Sequence, residues 1–336
     1  MEVQAALESG KFTITELTAA INEVDAPKTR LAELKLFEEK GIATTDVDIE
    51  YKDGQIQLVQ DVPRGADGQP LDDPNRKIVS FKAVHLPVLA AVFADDIQNT
   101  RAFGQTDELE TLQTVINEKL EISRSSLDIT IEYLRFGAVF GKVLGKNGSV
   151  IVDLFDKFSI KKADGENTID FNKPLATQLL NVKRSSEKYQ KGMKATAYVN
   201  LCRPEFFDQL LENPDFVKAF ERQNNGAQLR EDMRSGVYWQ GQWWEEYNES
   251  WPNDKDPMPA EYGAVCIPIG KRNLFLTRFA PADYNATVNT IGLPYYTNSE
   301  PKKMDKGVDL ESQSNPINVC TSPLAVRRIK FTPKTT

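Results

Sequence analysis

The sequence predicts an α+β fold, and two observations carry the prediction. One stretch of roughly thirty residues, Thr106 to Arg135, keeps an unbroken helical period. Strand-length runs punctuated by turn signals lie both before and after it, at 42–83, 142–155, 237–246, 262–278 and 308–331, while 280–298 shows no clean period. No internal repeat and no low-complexity segment interrupts this arrangement.

In the long helix, Leu109, Leu112, Ile116, Leu120, Leu127, Ile131 and Leu134 fall at steps of three and four, or sums of them. That spacing puts them on one face. Glu108, Glu110, Glu118, Lys119, Glu121 and Arg124 take the other positions. Asp107 with Glu110 forms a capping pair, and Gly137 is the expected stop. At 1.5 Å per residue the helix would run roughly 45 Å, longer than a small domain is wide.

The 336 residues suffice for two domains, or for one domain with extensions. A formal charge of −8 argues against a surface that wraps nucleic acid, which needs a basic face to release counterions. The longest apolar run, Val84 to Ala94, holds His85 and Pro87 and is too short to span a bilayer. The start, MEVQAALESGKF, lacks the basic-then-apolar order of a secretory signal, so the chain is expected to stay in the cytoplasm. Cys202, Cys266 and Cys320 are far apart and read as buried free thiols. His85 is the lone histidine, which excludes a His-pair metal site, and its strand-like surroundings favour a structural role.

Taken in order, residues 1–41 read as an extended arm with short helical pieces. Thr13 and Glu16 make a capping box ahead of Leu17, Ala20, Ile21 and Val24; Leu31, Leu34 and Phe37 mark a second turn. Such pieces cannot bury a core alone and must lie on the body of the chain or on a neighbour. Residues 42–83 read as a long β-excursion. Val47, Ile49 and Tyr51 alternate with charges, Asp53-Gly54 signals a hairpin, Ile56 and Leu58 continue the pattern, and 61–76 form a polar tip before a returning strand at 77–83. After the long helix, Lys146-Asn147-Gly148 turns a hairpin over 142–155. A polar stretch with a turn at Gly165 follows. A weak helix is expected over 175–191 and a buried strand over 195–202. Two helices over 204–223 break at Asn213-Pro214, with Asn213 as cap and Pro214 at the first position.

The strongest enzymatic pattern is Trp239, Trp243, Trp244, Glu245, Glu246, Tyr247, Glu249 and Trp251. Aromatics stack on sugars, and a carboxylate pair can serve a glycosidase. A strand pair with one packed aromatic face explains the same residues, and nothing else in the chain suggests a sugar cleft. There is no Walker loop and no GxGxxG after a strand. Lys161-Lys162 and Arg327-Arg328 read as solvated strand ends. The expectation is therefore no catalytic, cofactor or metal residues, and an arm and ribbon made for other chains.

Several stretches resemble the major capsid proteins of lambda-type tailed phages, the capsid protein E family with the Hong Kong 97 fold. They are LTAAINEVDAPKTRLAELKLFEEKGI (17–42), VPRGADG (62–68), RAFGQTDELETLQTVINEKLEISRSSLDITIEYLRFGAVFGKVL (101–144), FFDQLLENPDFVKAFERQNNGAQLREDM (206–233), RFAPADYNATVNTIGLPYYTN (278–298) and GVDLESQSNPINVC (307–320). The resemblance implies an N-arm at 1–41, an E-loop at 42–83 and a peripheral domain at 84–174 with the spine helix at 106–135. It further implies an axial domain at 175–310 and returning C-terminal strands at 311–336. It implies a head-shell subunit that joins itself in hexamers and pentamers, encloses double-stranded DNA without specific binding, and meets a portal at one vertex. A decoration protein at three-fold positions occurs in many such shells. No coiled-coil extension precedes residue 1, which suggests a separate scaffolding protein. The site would be the virion capsid, after assembly in the host cytoplasm. A nanocompartment shell of the same fold, encapsulin-like, is the competing role, with the carbohydrate enzyme third. The residues expected at subunit contacts are Arg64, Asp67 and Arg76 in the ribbon, Arg30 in the arm and Asn315. Arg64 and Arg76 lead because guanidinium groups suit interface ion pairs.

Overall fold

The computed structural model describes residues 13–24, 29–52, 76–93, 95–96, 108–190, 194–223, 232–247, 256–271 and 273–335. In chain order the elements begin with α1 (Ile14–Glu23), α2 (Arg30–Glu33), β1 (Glu38–Gly41), β2 (Asp46–Lys52), β3 (Arg76–Lys82) and β4 (Leu86–Phe93). There follow α3 (Glu108–Phe140), β5 (Lys142–Leu144), β6 (Val150–Asp153), α4 (Leu154–Phe158), β7 (Glu166–Asp170), α5 (Leu175–Lys188) and β8 (Ala197–Cys202). Next are α6 (Pro204–Leu211), α7 (Pro214–Gln223), β9 (Val237–Trp239), β10 (Gln242–Glu246), β11 (Ala264–Ile269) and β12 (Phe275–Phe279). The chain closes with β13 (Tyr296–Pro301), β14 (Gly307–Ser314), β15 (Pro316–Cys320) and β16 (Arg327–Thr332). The mixture is α+β, as expected.

Two compact units emerge, each built from separated stretches of chain. One takes Met1–Ile49, Ser80–Leu134 and Leu276–Asn318; the other takes Glu50–Val79, Arg135–Phe275 and Val319–Thr336.

The first unit is a long helix against an antiparallel sheet ordered β13-β14-β4. Ile116, Leu120, Leu127 and Ile131 of α3 are buried with Val92, Val308 and Leu310 from the sheet and with Leu17 and Ile21 from α1. The predicted apolar face thus holds from Ile116 to Leu134; the side chains of Leu109 and Leu112 and the cap at Asp107 lie outside the described residues. The Thr13 hydroxyl accepts from the Glu16 amide at 3.4 Å, the capping contact expected for α1. A strand the sequence hid, β1, pairs in parallel with β12, Glu38 opposite Leu276 and Gly41 opposite Phe279. Its residues, Glu-Glu-Lys-Gly, bury no apolar side chain, so only backbone hydrogen bonds define it.

The second unit is organised on a six-stranded sheet ordered β7-β16-β11-β8-β10-β9. Leu175, Leu179 and Val182 of α5 and Phe206, Phe207 and Leu210 of α6 pack with Trp244, Cys266 and Ile329 of the sheet in one core. The Asn213 side chain accepts from the Asp215 amide at 2.9 Å, so the predicted break and cap between α6 and α7 are present. The hairpin β5–β6 is antiparallel, as expected from Lys146-Asn147-Gly148. Two elements were not expected there: α4, which Asp153 caps, and β7, a polar edge strand with Ile169 alone fully buried.

The stop of α3 needs correcting. The helix passes through Gly137 to Phe140, and Gly141 at φ +84° ends it. Gly137 serves close approach instead: a Cβ there would lie 2.8 Å from Val143 Cα and 2.9 Å from the Lys142 carbonyl. The excursion at 42–83 does contain a two-stranded ribbon, β2 with β3. Its proposed Asp53-Gly54 turn, Ile56, Leu58 and the polar tip through residue 75 lie outside the described residues.

Candidate subunit-interface surfaces

The Trp/Glu cluster is built as a strand pair. Trp239 and Trp244 are buried, and the Trp244 indole donates to the Trp239 carbonyl at 3.2 Å. Phe216 meets Trp239 edge-on at 5.4 Å, and Phe206 stacks on Trp244 at 6.3 Å. Glu245 is buried and accepts from the Trp243 indole at 2.8 Å. Glu246 is the next residue on β10, so its side chain leaves the opposite face of the strand. Two carboxylates on opposite faces cannot flank one glycosidic bond. Glu249 and Trp251 lie outside the described residues.

Cys202, Cys266 and Cys320 are free and buried. Burial pushes the Cys266 and Cys320 thiols up to about 12, the wrong direction for a nucleophile. His85 Nδ1 lies 2.9 Å from the Asn315 carboxamide oxygen, a structural contact as expected. Among the described residues no group of three or more His, Cys, Asp or Glu could hold a metal ion, and no helix is long and apolar enough to cross a membrane.

The residues expected at subunit contacts fall in different places. Arg64 and Asp67 lie outside the described residues. Arg76 opens β3 of the ribbon. Arg30, at the start of α2, pairs with Glu33 at 2.8 Å. Asn315 is buried within the first unit, and its amide donates to the Gln313 side chain at 3.0 Å and the Pro281 carbonyl at 3.3 Å. Its side chain is therefore engaged inside its own chain.

The polar flank of α3 is not turned wholly to solvent. Arg124, assigned to the outer positions, reaches the Ile21 carbonyl at 2.8 Å and lies 3.7 Å over the Tyr295 ring. It also pairs with Asp128 at 3.0 Å, and Asp128 accepts from the Tyr295 hydroxyl. One turn on, buried Glu132 accepts from the Leu31 amide at 2.7 Å. Arg124, Asp128 and Glu132 thus form a stripe at four-residue steps beside the apolar face. It ties α1, α2 and Tyr295 to the spine. The described pieces of the arm are fastened to their own chain: Thr18 exchanges hydrogen bonds with Thr297, and Asn22 donates to the Tyr295 carbonyl at 2.9 Å.

Arg327 and Arg328 are not solvated strand ends. Both are buried in the second unit. Arg327 donates to the Asp164 carbonyl and the Asn167 side chain, each at 2.7 Å, and to the Glu166 carbonyl at 3.0 Å. Arg328 donates to the Lys162 carbonyl at 3.0 Å and lies 4.6 Å over the Phe155 ring. Burial lowers both guanidinium pKa values. Nearby, the Glu166 carboxylate accepts from Tyr262 at 2.6 Å and Lys330 at 2.8 Å. Backbone carbonyl acceptors carry no sequence signal, so an Arg-Arg pair looks solvated until the fold is seen.

Residues 13–331 match the family model for phage major capsid protein E. The major capsid protein of Pseudomonas phage KPP10 is 28% identical over 342 residues, covering 94% of this chain and 95% of that protein. That of Salmonella phage Felix O1 is 23% identical over 354 residues, with the same shares of 94% and 95%. A crystal structure assigned as a prophage capsid protein of E. coli CFT073 superposes with a TM-score of 0.64 at 13% identity, covering 95% of this chain and 99% of that one. The capsid of Ralstonia phage GP4 gives 0.52 at 12% identity, covering 93% of each chain. The mature capsid of bacteriophage PhiM1 gives 0.51 at 14%, covering 93% and 91%. These likenesses show a shared, Hong Kong 97-like fold.

Proposed function

The chain belongs to the phage major capsid protein E family and is a structural protein of the viral capsid, and we propose that it closes the shell chiefly through its ribbon. The match across residues 13–331 carries the capsid assignment. The unit that holds α3 as far as Leu134 serves as the peripheral domain and the six-stranded unit as the axial domain, whose loops meet at the centres of hexamers and pentamers; against the bounds of 84–174 and 175–310 expected from the sequence, this moves 135–174 to the axial side and 276–310 to the peripheral side. β2 and β3, which Arg76 opens, form the base of the E-loop, and its tip, with Arg64 and Asp67, reaches the next copy. Arg30 contributes from the arm. Heterologous contacts of this kind close a shell when repeated under symmetry.

A role without catalysis fits the buried, high-pKa thiols and the divided carboxylates. Assembly takes place in the host cytoplasm, with a separate scaffolding protein and a portal at one vertex. A decoration protein at three-fold positions is compatible with this plan. The shell encloses double-stranded DNA without gripping it, in keeping with the charge of −8. The curated relatives are proteins of phages, which favours a genome container over an encapsulin-like cargo shell.

Replacing residues 61–75 with a short Gly-Ser turn tests the ribbon while keeping Arg76 in its strand. The expected product is a soluble subunit with unchanged circular dichroism and cooperative melting that forms no closed particles by electron microscopy. Particles of ordinary size would refute the role of the tip. An unfolded subunit would show instead that the stretch belongs to the core.

A further inference from the structure

The loop between the 3₁₀ turn Asn285–Thr287 and β13 exposes three large apolar side chains within six residues: Val288 at 63%, Ile291 at 71% and Leu293 at 44%. Apolar exposure alone is common on protein surfaces. This loop differs because it is held in shape. The Thr287 hydroxyl donates to the Ala282 carbonyl at 2.7 Å, and the Thr290 hydroxyl to the Thr287 carbonyl at 2.7 Å. The Leu293 amide donates to the Tyr296 hydroxyl at 2.8 Å, and Ser314 donates to the Pro294 carbonyl at 2.6 Å. The Gly292 amide donates to the Ile42 carbonyl at 2.9 Å, and a Cβ on Gly292 would sit 2.0 Å from the Phe279 carbonyl. The apolar groups are therefore displayed on a fixed backbone, and little ordering entropy remains to be lost on contact.

Charge says what such a knob meets. From Tyr284 to Ser299 the sequence has no Asp, Glu, Lys or Arg, although 27% of the whole chain is charged and its formal charge is −8. Copies of one chain carrying that charge repel one another, and like charges brought together at a contact are costly. An uncharged, apolar, rigid projection is a place where identical copies can touch without that repulsion. We infer that the 288–293 loop is a copy-to-copy contact of the assembled shell, with Val288, Ile291 and Leu293 as its buried groups. This rests on the self-assembly reading above but not on the ribbon.

The three native cysteines are buried, so Ile291→Cys places a single accessible thiol on the loop. N-ethylmaleimide should label it in the free subunit and fail to label it in purified particles. Equal labelling in subunit and particles would overturn the inference. In a second arm, Val288→Glu with Ile291→Glu should leave the melting temperature within a degree or so of wild type, since both side chains face solvent, and should abolish particles. Normal particles from the double variant would also overturn the inference. Failure of the wild-type chain to form any assembly even when co-expressed with its scaffolding protein would instead remove the self-assembly reading beneath it.

Discussion

The Leu31 amide donates to the Glu132 carboxylate at 2.7 Å, joining the first turn of α2 to the C-terminal third of the spine helix. An acidic group at a helix N-terminus satisfies an otherwise orphaned donor. Here the acceptor comes from 101 residues away and is buried. The arm is thus fixed by chemistry on the spine and not by its own length.

Glu132→Leu removes the acceptor and leaves a buried amide. The expected loss is about 1–3 kcal/mol, the cost of an unsatisfied buried donor. Urea unfolding would report it as a lower midpoint with an unchanged slope. Limited proteolysis should cut within residues 24–42 sooner than in wild type, because the arm opens before the core. A variant with wild-type stability and an equally resistant arm would refute the anchoring role.

The spine separates a buried from an exposed apolar position two residues apart. Leu120 is buried with the sheet, whereas Ile122 is 63% exposed. Leu120→Ala should cost about 2–5 kcal/mol. Ile122→Ala should stay within about 0.5 kcal/mol of wild type. Equal effects in thermal melts would mean that the helix presents another face to the core.

These two positions also show what the sequence made legible. A strong period of three and four residues marks a buried stripe whatever it packs on, so Ile116, Leu120, Leu127 and Ile131 are legible as core. The contacts of Arg124 are not legible, because a polar residue on a helix defaults to solvent until a partner such as Tyr295 or the Ile21 carbonyl is known. Strands β1 and β7 were invisible for a related reason: edge strands are short and charged, and backbone pairing writes no apolar alternation into them. Arg327 and Arg328 look solvated in the sequence because their main acceptors are carbonyls of residues 160 or so earlier, which any sequence could supply. Of the expected interface residues, Asn315 turned out to be engaged within its own chain, and Arg64 and Asp67 remain proposals.

Acid should weaken the second unit through Glu166. Burial alone would raise its carboxyl pKa, but the hydrogen bonds from Lys330 and Tyr262 outweigh burial and hold it below its ordinary value of 4.5. A carboxyl depressed in the folded state contributes stability that is present above the unfolded value. That stability is lost as pH falls through the folded one. Melting temperature should therefore drop below about pH 4.5 more steeply in wild type than in Glu166→Gln. Parallel acid limbs would show that the contact does not titrate with folding.

Gly137 gives a prediction of sign. Inside a helix, Gly→Ala ordinarily stabilises by roughly 0.5–1 kcal/mol, because the glycine backbone loses more freedom on folding. Gly137 lies inside α3, three residues before its end at Phe140, so propensity alone predicts a higher melting temperature for Gly137→Ala. Geometry predicts the reverse. The added methyl would meet Val143 Cα at 2.8 Å and the Lys142 carbonyl at 2.9 Å, and both are backbone atoms of the strand that leaves the helix. Backbone cannot rotate aside as a side chain can, so the hairpin β5–β6 would have to shift. Overpacking of this kind costs about 1–3 kcal/mol, more than the helical gain. Gly137→Ala should therefore melt below wild type, with Gly137→Ser at least as low. A melting temperature above wild type would mean that the hairpin yields without cost and that its close approach to the helix is not what selects glycine.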